Sequence, residues 1–151
     1  MCKAAVKKKE PFLFAVCGWK NAGKTMLITR LIPVLKQRGY QVATIKHDGH
    51  EFEGDVPGTD TYKHLQSGAY GSAVFSAAKF MITKQCEGIT EKDLCRAFPE
   101  ADIILLEGFK NSNYPKYMIE ECQKNIEMKE IYRIADCIID LMEGKLSKNR
   151  N

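Results

Sequence analysis

A chain of 151 residues with 44% hydrophobic content is sized for one globular domain with a real core. Its apolar runs are short and soon broken by charge, which argues against a membrane span, and its basic first ten residues lead into no apolar signal segment, so the expected location is the cytoplasm. The net charge of +4 is no nucleic-acid signature: residues 1–10 and 144–151 carry +3 each, leaving about −2 on the body, whereas a basic binding face needs its charge on the folded surface.

The expected organisation is a basic tail at 1–10, a single nucleotide-binding domain at 11–144 and a second basic tail at 145–151. The first element is "FLFAVCG", Phe12 to Gly18, too short for a helix and apolar enough for a buried parallel strand. Leu27, Ile28, Leu31, Val34 and Leu35 then recur at helical spacing, and Gly39 closes that helix. Pro33 inside it must kink the helix or be absorbed by packing. "QVATIKH" reads as a second strand, and "GTDTYKHLQSGAY" as a capped short helix ending near Gly68. "GSAVFSA" and "KFMITK" form two strands of a hairpin turning near Ala77–Ala78.

"TEKDLCRAF" starts with a capping-box pattern, Thr90 and Asp93, and predicts a short helix. "DIILLEGF" is a third buried strand, "PKYMIE" a fourth, and Ile126 to Glu143 an amphipathic closing helix before Gly144. Strands alternating with helices imply an α/β fold with a mostly parallel sheet flanked by helices, three layers in all. The six cysteines (Cys2, Cys17, Cys86, Cys95, Cys122, Cys137) form no C-x-x-C pair, so reduced thiols are the simpler reading; Cys17 and Cys137 sit in apolar runs.

Chemistry concentrates in "GWKNAGKT": Gly18, four residues, Gly23, Lys24, Thr25, between a strand and a helix. Glycines let backbone N–H groups converge on phosphate oxygens, and the helix N-terminus adds partial positive charge. Lys24 would reach the β- and γ-phosphates and the Thr25 hydroxyl would ligate magnesium. A magnesium site needs an acidic partner at the end of a buried strand, and Ile103 to Leu106 lead directly into Glu107; Asp102 opens that strand at the wrong end. Behind the second strand, "IKHDGHEFEGDVPGTDTY" packs Lys46, His47, Asp48, His50, Glu51, Glu53, Asp55 and Asp60 beside the same loop. It reads as a nucleotide- or magnesium-contacting loop or a plain surface loop; His47-x-x-His50 is a weak zinc pattern.

Together "GWKNAGKT", "LIPVLKQRGYQVATIKHDGHEFEGDVPGTDTYKHLQSGA" and "ILLEGFK" resemble the molybdopterin-guanine dinucleotide biosynthesis protein B family, in order from Phe12 to Lys116. The resemblance implies a cytoplasmic P-loop NTPase-like protein that binds GTP and magnesium, hydrolyses GTP slowly and forms a homodimer. It also implies service to the partner guanylyltransferase, of MobA type, that attaches GMP to molybdopterin. The candidate nucleotide contacts are Gly18, Lys20, Asn21, Ala22, Gly23, Lys24, Thr25, Met26, His47, Asp48 and Asp60; the catalytic candidates are Lys24 and Glu107, and the metal candidates Thr25, Glu107 and Asp48.

Three departures stand out. Met26 replaces a common second Thr; Trp19 stands where a related group of P-loop proteins carries a lysine, with Lys20 one residue late; and the region after Tyr117 is short. A small-molecule kinase is the alternative, but kinases of this size use an arginine-bearing lid, and none of Arg30, Arg38, Arg96, Arg133 and Arg150 lies in either loop. A non-hydrolysing nucleotide-binding adaptor is the third reading. No Asn/Thr-Lys-x-Asp element is present to read guanine, so weak discrimination between GTP and ATP is expected.

Overall fold

The computed structural model describes residues 10–49, 52–120 and 125–145. Both expected basic tails, His50, Glu51, Cys2 and Cys122 lie outside the described residues, apart from Glu10 and Lys145. The elements in chain order are β1 (Phe12–Gly18), α1 (Lys24–Gln37), β2 (Val42–Lys46), α2 (Asp60–Gln66), β3 (Gly71–Phe75), β4 (Phe80–Lys84), α3 (Glu91–Cys95), β5 (Ile103–Glu107), β6 (Lys116–Ile119) and α4 (Met128–Met142). The chain forms two compact units, the second comprising residues 48–90 and the first the remainder. The reason is in the strand pairing: β3 and β4 pair only with each other, so the segment that carries them builds its own small sheet.

In the first unit, four parallel strands run in the order β2-β5-β1-β6. β1 and β5 are central and their side chains alternate between the two faces. Phe14, Val16, Ile103 and Leu105 pack on one face under α1 and α4, while Ala15, Cys17, Ile104 and Leu106 pack on the other under Leu94, Cys95, Phe109 and Tyr114. Four consecutive core positions in each strand, Phe14 to Cys17 and Ile103 to Leu106, explain why the two strands read as unbroken apolar runs. The mostly parallel sheet flanked by helices is therefore the observed architecture.

α1 buries the five residues its periodicity marked: Leu27, Ile28, Leu31, Val34 and Leu35. It runs through Pro33 without a break. Pro33 lies on the exposed face, where the carbonyl that loses its partner meets water, so packing is not what absorbs it. Both long helices end in the same local way. Gly39 (φ +90°) donates to the Lys36 carbonyl and Tyr40 to that of Leu35; Gly144 (φ +73°) donates to Leu141 and Lys145 to Asp140. These paired bonds satisfy carbonyls that a helix end leaves open, and a left-handed glycine allows them. At the start of α4, Ile126 and Glu127 precede the helix, with Ile126 buried in the same cluster as Ile131, a staple that sets the chain's entry angle.

In the second unit, Thr59 caps α2 by accepting from the Tyr62 amide, and the hairpin closes with Ser76 N–H donating to the Lys79 carbonyl around Ala77–Ala78. β3 and β4 leave Phe75, Phe80 and Ile82 exposed. No helix among the described residues is long and apolar enough to cross a membrane.

Candidate functional site

The C-terminal ends of the parallel strands define the site. Registers align Val16 of β1 with Glu107 of β5, and Glu107 with Lys46 of β2. Chain leaving β1 at Gly18 therefore turns beside the carboxylate that ends β5, where open parallel sheets bind ligands.

The loop itself is shaped by backbone geometry. Gly18 has φ +155°, and a Cβ there would meet the Ile119 carbonyl oxygen at 3.1 Å and the Ala22 Cβ at 3.2 Å. Asn21 (φ 62°) and Gly23 (φ 101°) are left-handed, and the Ala22 N–H donates to the Trp19 carbonyl at 3.1 Å. Gly23 occupies the N-cap of α1 without a side-chain cap, and no acidic residue stands in the first turn. A fourteen-residue helix thus presents its N-terminal N–H groups and dipole with no carboxylate of its own competing for them.

Side chains complete the arrangement. Lys24 Nζ donates to the Trp19 carbonyl at 2.8 Å and the Gly18 carbonyl at 3.2 Å, bridging the loop. Thr25 Oγ1 lies 3.0 and 3.1 Å from the two carboxylate oxygens of Glu107, donating to the carboxylate across 82 residues of sequence. A hydroxyl and a carboxylate side by side are hard oxygen donors, the set that suits magnesium. Among the described residues no group of three or more His, Cys, Asp or Glu could hold a metal, and His50 of the weak zinc pattern is outside them.

The Cys17 thiol, buried beneath the loop, donates to the Gly108 carbonyl at 2.8 Å. Burial pushes its pKa up, against the opposing charges of Lys116, Lys24 and Lys110. Asp102 serves the opposite end of the sheet, its carboxylate accepting from the Gln41 N–H at 2.7 Å.

The structure thus brings Gly18, Lys20, Asn21, Ala22, Gly23, Lys24, Thr25 and Met26 together with Glu107 and His47 in the first unit. Ala22 is buried and Met26 packs its side chain against the α1–α4 core, while Lys20 and Asn21 are exposed. The His47 N–H donates to the Glu107 carbonyl, and its ring meets Phe109 edge-on at 5.6 Å. Asp48 and Asp60 belong to the second unit, Asp60 in the first turn of α2 with Lys63 at 3.5 Å. Sequence reasoning passed over two residues here. Lys110 Nζ stands 4.7 Å from the centroid of the Trp19 ring, and Phe109 holds a left-handed φ of 59° that aims the chain there. Both lysine and tryptophan sit inside the quoted motifs, "LLEGFK" and "GWKNAGKT", so the signal was present but its pairing was not.

Comparison with known proteins adds an independent finding. The family model described as molybdopterin guanine dinucleotide synthesis protein B matches residues 13–142. The molybdopterin-guanine dinucleotide biosynthesis adapter protein of Escherichia coli (strain K12) is 33% identical over 112 residues, 71% of this chain; the chain spans 64% of that relative's length. The probable adapter protein of Bacillus subtilis (strain 168) is 32% identical over 136 residues, covering 85% of this chain and 76% of the relative. Among solved structures, Bacillus subtilis MobB is similar with a TM-score of 0.59 at 29% identity, covering 80% of this chain and 72% of that one. A crystal structure of molybdopterin-guanine biosynthesis protein B shares the fold with a TM-score of 0.63 at 22% identity, over 87% and 99%.

Proposed function

Because the chain belongs to the molybdopterin guanine dinucleotide synthesis protein B family, we propose that it is an adapter protein in the synthesis of that dinucleotide, binding GTP with magnesium at residues 18–26 and hydrolysing it slowly. The observation that carries the reading is the Thr25–Glu107 pair, a phosphate-loop hydroxyl hydrogen-bonded to the strand-end carboxylate. In this reading the loop N–H groups and Lys24 bind the phosphates, Thr25 and Glu107 hold magnesium, and His47 flanks the site; Asp48 and Asp60 belong to the second unit. Magnesium, when bound, neutralises charge that develops on the phosphate oxygens. Glu107 and Thr25 keep their oxygens oriented for it through their mutual bond, and Lys24 leaves the loop carbonyls for the phosphates.

The partners are GTP, a guanylyltransferase of MobA type, molybdopterin and a second copy of this chain, in the cytoplasm; nucleic acid and membrane are not among them. Support for the homodimer comes from the β3–β4 hairpin, where Phe75 is 83% exposed beside Phe80 and Ile82. Light scattering that returned a monomer mass at micromolar concentration would remove that part.

An observation bears on the kinase alternative. Each described arginine is held locally: Arg30 by the Ile126 carbonyl, Arg38 by Asp136, Arg96 by Asp93 and Arg133 by Glu130. None is positioned as a ready lid over a transferred phosphate, which favours binding and slow hydrolysis over transfer. Single-turnover hydrolysis of GTP with magnesium, with and without molybdopterin or other small acceptors, tests the reading. Slow phosphate release independent of acceptor is the expected result; phosphate appearing on an acceptor makes the protein a kinase, and binding without any release makes it a pure adaptor.

A further inference from the structure

We propose that Lys110 is a further phosphate-binding cation of this site, parked on the Trp19 ring and transferred to the terminal phosphates of a nucleoside triphosphate; this rests on the nucleotide-binding reading above. Trp19 directly follows Gly18 and is 73% exposed, a rare setting for the chain's one tryptophan. It is tied to two ammonium groups at once. Lys24 Nζ donates to its backbone carbonyl at 2.8 Å, and Lys110 Nζ sits over its ring at 4.7 Å.

Backbone geometry explains how Lys110 arrives there. Gly108 and Phe109 both take positive φ, 101° and 59°, immediately after β5. A left-handed aromatic is unusual and persists only where its surroundings hold it. Here the Phe109 ring packs against the edge of His47, and Lys116 Nζ donates to the carbonyls of Lys110 and Ser112, the first at 2.8 Å. Lys116 is thereby spent on holding the turn, whereas the Lys110 ammonium is held by an aromatic face. The Cys17 thiol, one residue before the end of β1, feels Lys116, Lys24 and Lys110 together, consistent with three ammonium groups around one loop.

Charge balance gives the cation its purpose. A triphosphate brings several negative charges to a site that already holds the Glu107 carboxylate, and the loop supplies two ammonium groups against them, Lys24 and the exposed Lys20. An exposed ammonium–ring contact is weaker than a charge-assisted bond from ammonium to phosphate, so a polyphosphate draws Lys110 off the ring. A monophosphate, lacking the β- and γ-groups, has much less hold on it. Trp19 therefore keeps a cation beside the phosphate loop without ion-pairing it, at a position where a loop lysine is absent.

The test uses the full chain with magnesium, calorimetric titration of GTP and of GMP, and Trp19 emission as a direct probe of its ring. Lys110→Met should weaken GTP binding by about tenfold or more and GMP binding by less than about twofold. Lys110→Arg, which keeps the cation and the ring contact, should stay within about threefold of wild type for GTP. In the unliganded protein, emission should change in Lys110→Met and stay near wild type in Lys110→Arg, with thermal unfolding unchanged in both. Unaltered GTP affinity in Lys110→Met, or an equal loss for GTP and GMP, overturns the proposal, as does unliganded emission identical to wild type. Failure of the wild-type protein to bind either nucleotide overturns the nucleotide reading itself, and this proposal with it.

Discussion

Gly18→Ala tests the loop's geometry without touching any charge. The added Cβ would sit 3.1 Å from the Ile119 carbonyl oxygen and 3.2 Å from both the Ile119 and Ala22 Cβ atoms. None of these is the end of a flexible side chain. Ile119 is paired with Gly18 in the sheet, and both Ile119 and Ala22 are buried, so relief requires backbone movement. The φ of +155° adds strain that an L side chain does not tolerate well. Backbone strain of this kind costs about 1–3 kcal/mol and overpacking a further 1–3 kcal/mol, so a loss of roughly 2–6 kcal/mol is expected. Nucleotide affinity should fall as well, because the Gly18 carbonyl that anchors Lys24 moves with the same backbone. Urea denaturation followed by Trp19 emission reports on the first unit, and GTP calorimetry gives the affinity. Gly49→Ala is the control, since nothing lies within 4 Å of its added Cβ and its change should stay within about 0.5 kcal/mol. A Gly18→Ala protein as stable as that control, with wild-type GTP affinity, would refute the steric account of the loop.

Lys24→Ala should weaken GTP binding by about 1.5–3 kcal/mol, the worth of a charge-assisted contact, and unchanged affinity by calorimetry would remove it from the site. Glu107→Gln keeps an acceptor for Thr25 but drops the charge, so much of the GTP affinity should survive while magnesium-dependent hydrolysis falls; normal turnover with normal magnesium dependence would exclude Glu107. GTP should be preferred over ATP by less than about tenfold, roughly 1.4 kcal/mol, and a hundredfold preference in competition titrations would point to a guanine-reading element. Burial, then the hydrogen bond to Glu91, raises the Tyr114 phenol from 10.0 to about 12. Its contribution to stability is thus full below pH 10 and is lost as pH rises through 12. Tyr114→Phe should flatten the difference between stability at pH 9 and pH 11.5, measured by urea midpoints, and an alkaline limb identical to wild type would contradict the assignment.

Local chemistry is what this sequence determined by itself. The glycine spacing before Lys24, the apolar stripe of α1, the left-handed glycines after α1 and α4, and the Ala77–Ala78 turn all appear where short-range rules put them. Each depends on contacts within a few residues, so a window of sequence holds the whole cause. β1 and β5 were legible for a related reason: strands covered on both faces must be apolar at every position. The tertiary structure decided what lies beside what. Nothing in "DIILLEGF" states that its strand is the neighbour of β1, yet that adjacency carries Glu107 to Thr25 across 82 residues. The Lys110–Trp19 contact is of the same kind, set by a turn after β5 and a loop after β1 that meet only when the strands pair. The division into two units likewise follows from β3 and β4 choosing each other over the parallel sheet. Periodicity marks which side chains are buried; strand order, which it does not encode, decides which of the remaining polar groups share a site.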